Sequence, residues 1–130
     1  MSSPFSDFLN LSIQLLNNIK IISSDNKIET YVDVCKSFIN KYPSEYLNMY
    51  KSYIYIKKSD IANFNYSIVK NNKDWTNEIS NNKNININSD RLGNVFSLVF
   101  KEWDSITENN KNAIFTYLKY MDDIIEKFNL

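Results

Sequence analysis

Apolar residues return every three or four positions along most of the chain, and that spacing limits the fold more than any other feature. Phe5, Phe8, Leu9, Ser12, Leu15, Leu16 and Ile19 fall on one side of a 3.6-residue turn. Ser3 ahead of Pro4 offers a capping oxygen and then a residue that needs no N–H at the first helical position. The run should stop near Ile22, because the short polar side chains of Ser23-Ser24-Asp25-Asn26 bond the local backbone in competition with a helix. A second stripe, Ile28, Tyr31, Val32, Cys35, Phe38 and Ile39, has Lys27, Glu29, Asp33, Lys36 and Asn40 opposite it. Pro43 biases Tyr42 away from the helical region and closes that segment. It also opens a third, in which Tyr46, Leu47, Tyr50, Tyr53, Ile54 and Lys57 share a face.

Past Lys58 the pattern thins. Ser59-Asp60 predicts the cap of a short helix with Ile61, Phe64 and Ile68 turned inward. Residues 71–89 read as an Asn-rich loop anchored by Trp75 and Ile79. Their Asn-Ile alternation imitates a strand, but Asn is depleted in strands. Asn is the commonest residue at 21 copies, and an excess of Asn, Lys, Ile and Tyr is what AT-rich coding sequence produces. Ser89-Asp90 then caps a helix carrying Leu92, Val95, Phe96, Val99, Phe100 and Trp103, and Ser105-Ile106-Thr107-Glu108 fits the capping box before the next. That last helix sets Ile114, Tyr117, Leu118, Met121, Ile124, Ile125 and Phe128 along one side, with Lys111, Asn112, Lys119, Asp122, Asp123 and Lys127 on the other. One Gly and two Pro leave too few turn residues for a β-sandwich or barrel. The expectation is an all-α, compact single-domain bundle of five or six helices spanning residues 1–130, with the loop at 71–89.

The same inventory prunes the chemistry. With no His and one Cys there is no Ser-His-Asp triad, no Cys-His dyad and no zinc site of the usual ligands. A single Gly excludes a phosphate-cradling loop and a dinucleotide fingerprint. Cys35 sits in an apolar stripe without a base to hold its thiolate, which reads as a small buried hydrophobe. Asp122 and Asp123 are neighbours on a helix and point ~100° apart. Asp122 and Glu126 are close enough in register to share an ion, yet both fall on the polar side between Lys119 and Lys127, where pairing across one turn is the ordinary use. No catalytic residue, metal or cofactor is expected, and the chain reads as a non-enzyme. Fifteen basic residues balance fifteen acidic ones, and the longest basic run is Lys57-Lys58, so a phosphate-binding stripe is disfavoured. A net charge of zero does little to hold copies apart. No apolar run reaches membrane-spanning length, no basic segment opens a signal peptide, and a single cysteine, Cys35, which leaves no intramolecular disulfide to form, suits a reducing intracellular compartment.

What remains is aromatic. Tyr46, Tyr50, Tyr53 and Tyr55 crowd one stretch with Lys57 and Lys58 beside them. The spacing of Tyr46, Tyr50 and Tyr53 is that of a core, with hydroxyls reaching its edge. Tyr and Trp are also the residues that interfaces favour, and rings beside lysines can stack the bases of a single strand. Tyr55 and Tyr120 fall off their stripes and are the better candidates for exposure. The expected contact residues are therefore Tyr46, Tyr50, Tyr53, Tyr55, Lys57, Lys58, Trp75 and Tyr120. The expected function is a protein–protein interaction module with a protein partner or a second copy. The alternative is single-stranded nucleic-acid binding through the Tyr/Lys face.

Phe38-Ile39-Asn40-Lys41-Tyr42-Pro43, the stretch from Tyr50 to Asp60, Asp74-Trp75, and Glu108 through Leu118 together resemble small, all-helical uncharacterised proteins of nucleocytoplasmic large DNA viruses. In that group the closing helix reads Ile-Trp-Lys-Tyr-Leu, where this chain has Phe115 and Thr116 at the Trp and Lys positions. The resemblance implies a viral virion component or host-directed accessory protein, placed in the host cytoplasm or the particle, and implies no activity. Arg91-Leu92-Gly93-Asn94-Val95-Phe96 resembles, in reversed order, the Gly-Arg element of Bcl-2-type viral proteins, which implies a groove for a partner helix as a further alternative.

Overall fold

Ser3 caps the first helix as its position before Pro4 dictates: its side-chain oxygen accepts from the Ser6 N–H at 3.0 Å, and α1 runs Pro4–Ile22. The computed structural model describes residues 3–70, 95, 99 and 101–130. Within them lie α2 (Ile28–Lys41), α3 (Pro43–Tyr53), a 3-10 turn (Tyr55–Lys57), α4 (Lys58–Ala62), α5 (Ser67–Lys70), a second 3-10 turn (Trp103–Ser105) and α6 (Glu108–Phe128). There is no strand among the described residues, and the chain is an all-α bundle. The expected loop at 71–89, with Trp75, and the Ser89-Asp90 cap lie outside them.

Tyr42 is the joint between α2 and α3. Its φ of −131° and ψ of 60° take the chain out of one helix, and Pro43 starts the other immediately. The two left-handed residues among the described ones both end helices, and neither is glycine. Asn129 follows α6, where Asn tolerates this conformation. Phe64 follows α4 with φ 52°, and the Asn65 N–H reaches the Asp60 carbonyl at 2.9 Å while the Phe64 N–H reaches that of Ile61 at 3.1 Å. These bonds close a Schellman motif. The turn explains a departure from the expected inward set: Ile61 and Ile68 are buried, whereas Phe64 is left exposed, its ring stacked on Phe115 at 6.4 Å. Ser59 and Asp60 lie inside α4 rather than capping it.

Helix α6 packs on α1 and on α4; α1 also packs on α2, and α2 on α3. The core they enclose takes Phe8, Leu15, Leu16 and Ile19 from α1, Val32, Cys35, Phe38 and Ile39 from α2, and Tyr46, Met49 and Tyr50 from α3. Helix α6 supplies Ile114, Phe115, Leu118, Met121 and Ile125. Val95 and Val99, both helical, and Trp103 join the same cluster. Ser12, the polar member of the α1 stripe, is buried and donates to the Phe8 carbonyl at 2.9 Å, so its hydroxyl needs no outside partner. The cap of α6 is Thr107, whose oxygen accepts from the Asn110 N–H at 3.3 Å, and not Ser105 of the expected capping box. Ser105 instead donates to the Glu102 carbonyl at 2.7 Å and finishes the 3-10 turn, because the extended Ile106 between them has to reach the core.

Phe8 is wholly enclosed, with the Tyr50 ring edge-on at 5.1 Å and Tyr46 at 5.7 Å. Phe8→Ala is expected to lower unfolding free energy by ~3–5 kcal/mol in denaturant titration. Ile21→Ala, at a side chain 82% exposed, should stay within ~0.5 kcal/mol of the parent.

Candidate functional site

Among the described residues the charged side chain that breaks the apolar core is Asp122, in the middle of α6 and 4% exposed. It stands four residues after Leu118 and three before Ile125, so it lies on the buried side of the helix and not on the polar side expected from the sequence. Opposite it, α3 delivers Tyr50, fully buried, whose hydroxyl donates to Asp122 Oδ1 at 2.8 Å and lies 3.3 Å from the Leu118 carbonyl oxygen. Asp122 Oδ2 is buried with no hydrogen-bond partner among the described residues.

Burial raises the Asp122 carboxyl to about 7. The Tyr50 hydroxyl and the Lys58 ammonium favour the charged form, while Asp123 and Glu126 oppose it, and burial outweighs them all. Tyr50 is pushed well above the ordinary phenol range, by burial first and then by the Asp122 charge. Tyr46 is raised in the same direction by burial, with Ser12 partly offsetting it. A phenol has one proton and here faces two acceptors. With Asp122 ionised that proton goes to Oδ1. With Asp122 protonated at Oδ1, the acid donates to the phenol oxygen and the phenol proton turns to Leu118. The pair is satisfied in either state except at Oδ2.

Above the pair is a hollow of about 250 Å³ between α4 and α6, walled by Lys58, Ser59, Lys119, Asp122, Asp123 and Glu126. Lys58 is held at its rim. Its ammonium donates to the Tyr55 hydroxyl at 3.2 Å, lies 4.7 Å from that ring's centre and stands 3.9 Å from Glu126 Oε1. The hydrogen bond to Tyr55 raises the Lys58 pKa. No group of three or more His, Cys, Asp or Glu among the described residues is arranged to hold a metal ion.

The expected contact residues therefore divide. Tyr46 and Tyr50 are core: their rings pack on Phe8, so neither can meet a partner or stack a base in this fold. Tyr53, Tyr55 and Lys57 are half-buried, the two rings lying against the core. Lys58 and Tyr120 are exposed, Tyr120 at 54%. Tyr55 and Lys58 come together, whereas Tyr120 lies in a second hollow of about 390 Å³ along α1 and α6, with Leu11, Gln14, Ala113, Thr116 and Tyr117 around it. Trp75 lies outside the described residues, as does most of the Arg91–Phe96 stretch. Phe128 of the expected apolar side of α6 is exposed, and Phe115, absent from that side, is buried against Tyr66 and Trp103 at 4.8 and 5.8 Å. No helix among the described residues is long and apolar enough to cross a membrane.

Between pH 4 and 7 the folded chain holds a proton on Asp122 that an unfolded carboxyl, with its ordinary value of 3.8, has released. Stability must fall as pH rises through that window and level off above it. Relative to Asp122→Asn, which cannot titrate, the parent should lose up to ~1.4 kcal/mol per pH unit from about 4 to 7 in denaturant unfolding, and parallel curves would contradict the assignment. No protein-family model, curated protein or solved structure matches the chain.

Proposed function

We propose that this chain is a non-enzymatic helical protein–protein interaction module that pairs with a second copy of itself through the face formed by α1 and α6. One observation carries the reading: among the described residues that line the hollow around Tyr117 and Tyr120 none is charged, in a chain where 23% of residues are charged. Its lining combines apolar Leu11 and Ala113 with the neutral hydrogen-bonding groups of Gln14, Asn109, Asn112 and Thr116. An apolar centre with a neutral polar rim is how protein interfaces are built, and tyrosine fills such sites at low entropic cost. A phosphate backbone would find no cation there among the described residues. A second copy suits the face because the chain's net charge is zero, so approach meets no overall repulsion. A two-fold pair also lets Tyr120 of each copy rest in the hollow of the other.

The viral setting belongs to the same reading, as a structural or host-directed accessory protein of the host cytoplasm or the particle. It is supported by the residues that carry the family resemblance and by the Asn, Lys, Ile and Tyr excess. Single-stranded nucleic acid is the weaker reading, since Tyr46 and Tyr50 are enclosed and Lys58 is already engaged by Tyr55 and Glu126.

Sedimentation equilibrium over a wide concentration range should show a reversible dimer. Tyr120→Glu, which puts a charge at the centre of the face, should weaken it at least tenfold, ~1.4 kcal/mol. A monomer at every concentration overturns the reading.

A further inference from the structure

We infer that the second copy lies lengthwise along α1 and α6 as the other half of a four-helix bundle, locked in register by the Tyr120 hydroxyl of each copy donating to the Gln14 carboxamide of the other. This deepens the self-pairing reading and rests on it. Each of the two helices carries a second stripe beside its core stripe. Leu11, Gln14, Asn18 and Ile21 of α1 are three, four and three residues apart, and Ala113, Tyr117, Tyr120 and Ile124 of α6 are four, three and four apart. That alternation is the spacing of a helix–helix seam. None of these side chains is buried, and Ile21 is 82% exposed.

Helices α1 and α6 run antiparallel. Ser23, at the end of α1, donates to Glu102, ahead of α6, at 3.0 Å. Phe8, near the start of α1, meets Tyr50, which bonds Asp122 in the later half of α6. A two-fold axis that runs along such a pair, in the plane of contact, sets each α1 against the other copy's α6. All neighbouring helices are then antiparallel, the up-down arrangement of a four-helix bundle. The same axis keeps every residue at its own height. Gln14 and Tyr120 line one hollow and so share a height, which brings each opposite the other in the second copy. Helices of 19 and 21 residues are ~30 Å long and ~10 Å across, so each copy offers a face on the order of 600 Å², enough for a specific pair.

Burial decides what the polar members of the seam must do. Gln14 and Tyr120 are both exposed, and neither side chain has a hydrogen bond among the described residues. Closing the face removes their water, and a hydroxyl or carboxamide shut away without a partner opposes pairing. The phenol donates its proton and the carboxamide oxygen accepts it, so the two satisfy one another, once on each side of the axis. A wholly apolar seam can slide by a turn and keep its contacts, whereas this one loses both bonds when it slides. Gln14 and Tyr120 are therefore the residues that make the chain choose a second copy, at one register, over other apolar faces.

The test is sedimentation equilibrium on the whole chain and four variants, each verified as folded by circular dichroism. Gln14→Leu and Tyr120→Phe each leave the other group unpaired and should weaken the pair about tenfold, whereas on a face held by apolar contact alone both would tighten it. The two substitutions combined remove both partners and should regain most of that loss. Ile21→Ala, at a side chain the fold does not need, should weaken the pair about threefold, because the seam runs the length of α1. A pair that forms but is unchanged or tightened by either polar substitution overturns the inference and leaves self-pairing standing. So does a double variant no tighter than the single ones, or a pair indifferent to Ile21→Ala. A monomer at every concentration overturns both.

Discussion

Because α6 turns Ile114, Phe115, Leu118, Met121 and Ile125 to one side, it cannot leave water without neighbours laid along its length. Helix α1 is long enough to cover much of that side, and α4 covers a further part; α2 and α3 reach the core through α1 and through one another. Each of these helices is short or polar enough that its own propensity would not hold it, so the mutual burial of the stripes is what keeps them folded. The small capping bonds of Ser3 and Thr107 decide where the helices start, and the packing decides that they exist.

Within that apolar contact the Tyr50–Asp122 bond has a different task. It joins α3 to α6 at one register, since a shift of either helix by a residue would strand a hydroxyl and a carboxyl away from water. Such a bond adds little net stability, because desolvating the acid costs about as much as the bond returns. The raised Asp122 carboxyl and the unpaired Oδ2 are the residue of that cost. The same two features make the hollow beside Asp122 chemically distinct from the one around Tyr120, whose described lining has no charged side chain.

The helices were legible wherever a stripe was unbroken. The stripes of α1 and α2 and the Pro43 boundary follow from spacing, since a 3.6-residue period has few other uses; the same spacing allowed Tyr46 and Tyr50 to be core, but it did not separate that from the contact role expected of them, and both are enclosed. Asp122 was hidden because a carboxylate at a core position contradicts the polarity rule on which the reading depends. Its register with Leu118 and Ile125 was the available signal, and it conflicted with the runs of charge around it. Phe64 failed for a backbone reason: its left-handed turn redirects a side chain that periodicity assigns inward, and glycine, the usual marker of such a turn, is missing. Ser105 lost the cap to Thr107 because Ile106 had to be buried, a tertiary demand no local motif contains. The two hollows were invisible in the sequence, since each is made by helices distant in the chain.

The partnership of α1 with α6 has a consequence for biosynthesis. A nascent chain presents α1 to the cell well before α6 leaves the ribosome, with α2 and the tyrosines of α3 on hand to shield part of its apolar side in the meantime. At ordinary translation speeds the delay is on the order of ten seconds. During that interval the side of α1 that α6 will cover is open to chaperones or to neighbouring chains, so the final collapse awaits the synthesis of α6 and the yield of folded protein depends on what meets α1 first.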